Sequence, residues 1–506
     1  MRINLKQIRH SKQLLQDINL LKLSKCIKIS ENISSLTQII TLNHIPIKDK
    51  PVVVDINGIY YEENEDFIID YTIGRIYWIN KEFKIDFDDE ITVHYYISVN
   101  DYIKPNKKYI VAGGNFHSYT LIDDKLYSCG LNNESLVDIN NSNTEDIYPI
   151  LSEISGLGKI LDLSGSINHT VVLTENGELF SWGSNSVGQL GIGSTTEYVP
   201  GIHKINLSNI IKVECGDFFN LALDQEGNVY SWGYNTFGQL GTGDKSNRYL
   251  PYKIPQLTNI KDIICDGSYA AAIDMENNLW VWGNNYYGQL GLGHNKNVTT
   301  PTKSAFKNVI SVFPGYDSLF VLDYEKNLWS AGDNLYGQLG IGSDILNVNI
   351  PQKVVNISDV ITLSRSNYHI IALVSDNTVY SWGRNDSGQL GHGHTNNLNS
   401  PTHIKGLFNI TNVATGHDCT YVLRNDGVVS SFGNNDVGQL GVNNIPLATN
   451  PININLEEKI VNISSGYKHV FAISEKNVFA WGNNKHGQLG VGTTTDCFEP
   501  KKMLLN

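Results

Sequence analysis

Along most of the chain, apolar and polar residues alternate with a period of two, in short runs bounded by Gly, Asn and Asp. HTVVL at 169–173 and LFSWG at 179–183 show the pattern. Alternation of this kind predicts half-buried strands, because successive side chains of a strand point to opposite faces. The runs also keep a fixed order. An apolar segment carrying a glycine and often a histidine (LSGSINHTVVL, 163–173) leads to a polar turn at Glu175, Asn176 and Gly177. LFSWG, GQLG, a variable loop, Pro200 and a last apolar segment follow. Each unit is thus about four short antiparallel strands.

The unit recurs. GQLG starts at residues 188, 238, 288, 337, 388, 438 and 487, so successive copies are separated by 50, 50, 49, 51, 50 and 49 residues. A constant period marks a repeat architecture rather than one glycine loop built for a phosphate. The prolines raise the count to eight: Pro149, Pro200, Pro251, Pro301, Pro351, Pro401, Pro451 and Pro500. So do the first strands, beginning with IVAGGNFHSYTLI at 110–122. In the first unit the motif is degenerate (SCGLNNESL, 128–136), with Cys129 in the Trp position and ESL in place of GQL. In the sixth, Arg365 or Ser366 stands where the glycine belongs. Radially arranged four-stranded units over residues 106–506 predict an all-β fold, a β-propeller of eight blades, with seven blades plus an accessory unit as the alternative. A closed ring also disposes of exposed sheet edges.

The repeated residues acquire structural roles in such a ring. Trp182, Trp232, Trp282, Trp382 and Trp481 lie on strands that meet neighbouring blades and should wedge between sheets. Ala331 and Phe432 replace Trp in two units, and Trp329 is placed to fill the volume Ala331 leaves. Gly183, Gly188, Gly191 and Gly238 suit tight turns, Leu190 the core, and Gln189 the backbone groups of the turn.

The first hundred residues differ. Asn57-Gly58 between VVVDI and IYY is a hairpin signal, and FIIDY, RIYWI and ITVHYYI are of strand length. With KCIKIS (25–30) and LTQIITLNH (36–44), they predict a small β-sandwich over residues 25–105, preceded by an arm or short helix at 1–24.

Composition narrows the function. The 38 Lys and Arg against 51 Asp and Glu give a net charge of −13, which disfavours a nucleic-acid backbone as partner. No apolar run is long enough to insert in a membrane, and the start lacks a signal-peptide pattern. Six cysteines without a CxxC pair fit neither a disulfide framework nor a zinc site. His117, His169, His369 and His469 share one slot of different units, which reads as scaffold rather than catalysis. His392 and His394 lack a clustered third metal ligand, and no Lys-Ser or Lys-Thr follows the GQLG glycines as a phosphate loop requires. No enzyme activity, cofactor or metal is expected.

The motif SWGxNxxGQLGxG followed by Pro, with GxxHTxxL upstream, resembles the regulator of chromosome condensation repeat over nearly four fifths of the chain. Known members of that family are described as seven-bladed, and they include a GTPase exchange factor, inhibitors of enzymes and scaffold modules. The pattern VxxNGxxYxExxDFxIDYxxGxIYW at roughly 25–100 resembles small β-domains of tailed-bacteriophage fibre and baseplate proteins. The two resemblances together imply a non-enzymatic virion protein, a tail or baseplate appendage made in the host cytoplasm. Residues 1–105 would attach it to other tail or baseplate proteins, in a homo-oligomeric assembly, and the propeller would bind a host-surface glycan or protein. The alternatives are a cellular partner-binding propeller, such as a GTPase exchange factor or scaffold, and a protein inhibitor of an enzyme.

Two slots vary while the frame stays fixed, and they are the candidate binding residues. The first follows the first-strand glycine and holds Phe116, Phe218, Phe219, Tyr269, Tyr316, Asp317, Tyr368 and Tyr467. The second lies within WGxNxxG and holds Tyr234, Tyr286, Tyr287, Tyr336 and Arg384, with Phe237 beside them. Aromatic rings beside polar groups suit stacking on a ligand with hydrogen bonds at its edge.

Overall fold

The computed structural model describes residues 110–113, 116–122, 125–132, 136–137 and 146–505, apart from 167 and 198, and the strands of the first hundred residues by their backbone. The chain divides into two compact units, Met1–Asn106 and Lys107–Asn506.

In the first unit, Cys26–Ile33, Ile91–Ser98, Val53–Ile56 and Ile59–Glu62 form a four-stranded antiparallel sheet in that order. Ile39–Thr41, Arg75–Trp78 and Phe67–Asp70 form a three-stranded one. Ile56 faces Ile59, the register of a two-residue hairpin connection. The predicted arm at 1–24 and the side chains that would pack one sheet on the other lie outside the described residues.

The second unit is an eight-bladed propeller, and each blade is a four-stranded meander whose strands follow chain order. Blades 1 to 8 span residues 110–154, 160–205, 210–253, 260–303, 309–353, 360–403, 410–453 and 460–502. Their first strands sit side by side around the centre. The ring closes where blade 8 meets blade 1. The Gly492 amide donates to the Pro149 carbonyl at 2.7 Å and the Leu151 amide to the Leu504 carbonyl at 2.9 Å. Ser118 Oγ of blade 1 donates to the Gln488 carbonyl of blade 8 at 2.8 Å. The first repeat, residues 110–154, is therefore a full blade, not an accessory.

The seams between blades explain the repeat. Trp232, Trp282, Trp382 and Trp481 are fully buried. Each indole N–H donates to the carbonyl of the Gln in the preceding blade, at 2.8–3.0 Å: Gln189, Gln239, Gln338 and Gln439. Blade 1 has no such Gln, so Trp182 donates to the Tyr119 hydroxyl at 3.0 Å instead. Cys129, in the Trp position of blade 1, reaches the Gln488 carbonyl at 3.4 Å. The glycine opening each GQLG has positive φ; at Gly238 (φ 83°) an added Cβ would lie 2.7 Å from Thr299 Cα in the next blade. The last glycine abuts the next blade's indole: a Cβ on Gly241 would stand 3.1 Å from the Trp282 ring.

Trp329 does not fill the space beside Ala331. It pairs with Lys353 where Trp280 pairs with Lys303, and its N–H is held by Asp323 at 2.8 Å as that of Trp280 is by Asp274 at 2.9 Å. Phe306 fills the gap from the blade 4 to 5 connection; a Cβ on Gly291 would meet its ring at 2.9 Å.

Candidate functional site

Each blade joins its two variable slots by one backbone hydrogen bond. The residue after the WG glycine donates to the carbonyl just before the second strand: Tyr234 to Phe218, Asp333 to Asp317, Arg384 to Tyr368, Asn434 to Asp418 and Asn483 to Lys468, at 2.9–3.0 Å. Both slots therefore open on the same end of the propeller, around its mouth. The loop behind them is fixed by one Asn per blade. Asn235 Oδ1 accepts from the Leu240 amide at 3.0 Å, and its Nδ2 reaches the Asp244 and Ser246 carbonyls at 3.1 and 3.0 Å. Gln239 Oε1 accepts from the Phe237 amide at 3.0 Å; Gln189 and Gln289 do the same for Val187 and Tyr287. With the frame held this way, the side chains at the slots are free to differ.

Most candidate residues do meet at the mouth. Phe116 is exposed and packs edge-on against His486 of blade 8, ring centroids 4.7 Å apart. Phe218, Tyr234 and Phe237 form a chain of rings at 6.2 and 6.3 Å. Tyr286 and Tyr287 are 5.1 Å apart, Tyr336 and Tyr368 5.2 Å. Phe219 and Tyr269, by contrast, are core residues with 0% and 1% exposure. They are the first residues of their second strands, so their side chains turn inward; the Tyr269 hydroxyl donates to the Gly315 and Ser318 carbonyls, both at 2.8 Å. Neither can touch a ligand.

The mouth has two electrostatic sectors. In blades 3 to 5, Asp217, Asp266 and Asp317 gather around Tyr316, and Asp333 stands near Asp317. Burial, then the charge of Asp266, pushes the Asp217 carboxyl up to about 6. Burial followed by the charges of Asp333, Asp266 and Asp217 does the same to Asp317, also to about 6. Arg365 of blade 6 reaches across to Asp266 of blade 4 at 2.7 Å and is the cation that offsets this group. In blades 5 to 8, Arg384 lies over the rings of Tyr336 and Tyr368 at 5.6 and 5.8 Å and contacts Asp386 and Asp418 at 2.7 and 3.3 Å. His417 Nδ1 is 2.7 Å from Asp418 and its ring is 4.4 Å from Tyr467. Burial works against ionisation of Asp418, but His417 and Arg384 outweigh it and hold the carboxyl below its usual range.

Sequence reasoning placed His417 and Asp418 in the first variable slot and read Arg365 only as a replacement for a glycine; it missed Asp217 and Asp266, as well as Asp333 and the constant Asn. Aligning the units on GQLG and looking for acids within the glycine-turn slot would have found the first two.

The repeated histidines are seam residues. His169 Nε2 meets Asn220 of the next blade at 2.8 Å and Nδ1 meets Ser166 at 2.7 Å. His369 makes the corresponding contacts with Thr420 and Ser366 at 2.9 and 2.6 Å. Burial lowers these two imidazoles to about 4 and 3 and holds them neutral. It also pushes the Cys215 and Cys419 thiols up to about 12, which leaves neither as a thiolate nucleophile. His392 and His394 stack at 6.0 Å, and among the described residues no group of three His, Cys, Asp or Glu is arranged to hold a metal. Two grooves lie away from the mouth, one of about 700 Å³ between blades 5 and 6 near Ile357 and Tyr380, the other of about 520 Å³ between blades 7 and 8 near Leu456 and Phe479.

Comparison with known proteins fits this geometry. Residues 97–409 match the RCC1-like domain, and 426–473 and 476–505 match the regulator of chromosome condensation (RCC1) repeat. The Protein RCC2 homolog of Xenopus laevis is 33% identical over 119 residues, 22% of this chain and 23% of that protein. The X-linked retinitis pigmentosa GTPase regulator of Canis lupus familiaris is 35% identical over 95 residues, 19% of this chain and 10% of that one. The matched stretch is thus less than a quarter of either relative. Among solved structures, human WBSCR16 superposes with a TM-score of 0.54 at 22% identity, covering 65% of this chain and 90% of its own. Prp20p of Saccharomyces cerevisiae, described with its binding properties to Gsp1p and histones, gives 0.53 at 22%, covering 64% and 85%. At such identities the superpositions establish the fold.

These relatives overturn the virion assignment. They are proteins of eukaryotic cells, not tail or baseplate components. The appendage role, its tail-protein partners, the host-surface ligand and the virion location fall together. The pattern in residues 25–100 that suggested them is one of strand alternation and turn residues, which any small β-domain shares.

Proposed function

The chain belongs to the RCC1-like family of repeat propellers, and on that premise we propose that it is a cellular partner-binding protein that engages a small GTPase through its mouth, without covalent catalysis. The Arg384 sector carries the reading. It assembles Tyr336, Tyr368, Arg384, His417, Asp418 and Tyr467 from four successive blades, with the guanidinium laid over two rings and held by carboxylates. Arg and Tyr on a rigid frame are the residues that anchor protein interfaces, because they bury much area at little entropic cost. The choice of a GTPase is supported by the names under which two of the relatives are known, one a GTPase regulator and the other described with its binding to Gsp1p.

The test uses the purified full chain and a Ran-type GTPase in its GDP, GTP-analogue and nucleotide-free forms. Binding should depend on the nucleotide state, and Arg384→Ala with Tyr467→Ala should weaken it at least about tenfold, a loss of about 1.4 kcal/mol. Thermal unfolding should hardly move. If no nucleotide form binds, the GTPase assignment is wrong.

A further inference from the structure

The outer loop of blade 5 breaks the repeat in a way the fold does not require. The residue after the loop-fixing Asn is exposed in every complete unit and is Ser186, Thr236, Tyr286, Asp386, Asp436 or Lys485 elsewhere; in blade 5 it is Leu335, 56% exposed. Beside it stand Ile345 and Leu346, 59% and 58% exposed. In blades 3, 4, 6 and 8 the position of Leu346 holds Asn247, Asn297, Asn397 and Asp496, whose side-chain oxygens accept from the loop-fixing Asn amide at 2.8–3.0 Å. In blade 5 the Leu346 main-chain carbonyl takes that bond at 2.7 Å. The loop is closed without the side chain, and the side chain is an exposed leucine. Blade 7 uses a main-chain carbonyl too, that of Pro446, but the aliphatics flanking it, Ile445 and Leu447, are only 36% and 37% exposed.

The three residues are held together through Asn334, the chain neighbour of Leu335. Asn334 donates from its amide to Leu346 and from Nδ2 to the Ile345 carbonyl at 2.8 Å, and the Leu335 amide is 3.3 Å from Asp333 Oδ1. The apolar patch therefore runs directly into the acidic sector of the mouth at Asp333 and Asp317. Exposed aliphatics rimmed by charge mark a contact surface.

We propose that the blade 5 rim docks an amphipathic segment of a partner, with aliphatic side chains on Leu335, Ile345 and Leu346 and a lysine or arginine reaching Asp333 and Asp317. The inference rests on the partner-binding reading and specifies a second contact, separate from Arg384. The charge argument selects the occupant. A second copy of this chain would bring another −13 to an already acidic patch, whereas a basic segment relieves the repulsion from Asp333, Asp266 and Asp217 that adds to burial in raising the Asp317 carboxyl.

A fluorescent designed helix of about 18 residues, five turns, with leucine on one face and lysine on the other, is the probe. It is titrated into the full chain beside a leucine/glutamate helix and a serine/lysine helix. The leucine/lysine helix should bind at least about tenfold more tightly than either control, and Leu335→Ser with Leu346→Ser should remove that preference. Because both residues are exposed, thermal unfolding of the variant should match the parent, and Asp333→Asn provides a second variant that should weaken only the lysine-bearing probes. The proposal is overturned if the parent does not bind the leucine/lysine helix, if the variant binds it equally, or if the serine/lysine helix binds as well. It is also overturned if sedimentation shows a dimer of the full chain that the double variant dissolves. GTPase binding that survives the double serine variant but not Arg384→Ala leaves the partner-binding reading standing; loss of GTPase binding in every form breaks that reading and not the helix result.

Discussion

The seam between blades 3 and 4 and the seam between blades 4 and 5 solve one packing problem differently. In the first, Trp282 is wedged behind Gly241 and donates to the Gln239 carbonyl at 2.8 Å. In the second, Ala331 has neither volume nor N–H to offer, and Phe306 occupies the space from another segment. The same blade 4 shows a second exchange. Ser231 and Ser330 donate to the carbonyls of Leu240 and Leu339 at 2.7 and 2.8 Å. Val281 replaces that serine, and Ser304, in the position of Ile254, donates to Leu290 at 2.8 Å instead. A seam needs filled volume and satisfied carbonyls; it does not need them from fixed positions. Blades can therefore drift from the repeat while the ring stays closed.

The contrast between the two seams breaks most sharply at Trp282. Trp282→Ala should cost about 3–5 kcal/mol, read as the shift in denaturant midpoint, because no neighbouring segment stands ready to fill the cavity. Phe306→Ala should cost nearly as much, about 3 kcal/mol, showing that it does for blade 5 what Trp does elsewhere. Gly238→Val tests the backbone side of the seam: positive φ and the Thr299 contact should together cost about 3 kcal/mol. Ala331→Trp alone should destabilise by about 1–3 kcal/mol through overpacking, and adding Phe306→Ser should recover much of that loss. A fully additive double variant would show that the two residues do not share one space.

Smaller effects separate polar seams from apolar ones. His369, neutral and held to about 3 by burial, lies between blades 6 and 7. Its folded pKa is below that of the unfolded chain, so protons bind the unfolded state preferentially as the pH falls from about 6.5 toward 3, and stability is lost there with a slope of up to about 1.4 kcal/mol per pH unit per histidine. His369→Phe should flatten that acid slope in pH-dependent unfolding. Asp317 has the opposite sign. Its pKa is raised to about 6, so its ionisation costs stability as the pH rises from about 4 to 6 and above. Asp317→Asn should gain about 1 kcal/mol at pH 7.5, discounted for partial exposure, and almost nothing at pH 4.

The period near 50, the Trp, the glycines and the four alternating runs of each unit dictated eight blades, because a repeated local pattern can satisfy itself only against its own neighbours. The variable slots were legible too, as the positions where a fixed frame tolerates change. Their orientation was not. Phe219 and Tyr269 lie next to Phe218 and Ser268 in sequence, yet one step along a strand reverses the face, and the bend before the second strand decides which step it is. Nor could adjacency across the ring be seen in the sequence. Arg365 meets Asp266 99 residues away, Phe306 answers for Ala331, and a leucine after Asn334 differs from any loop leucine only once its neighbours are known to be Ile345, Leu346 and Asp333. The sequence by itself determined how each blade is turned, since strands and tight turns are local and repeat. Only the tertiary structure decided which groups from different blades share a surface, because charge, volume and exposure act through space rather than along the chain.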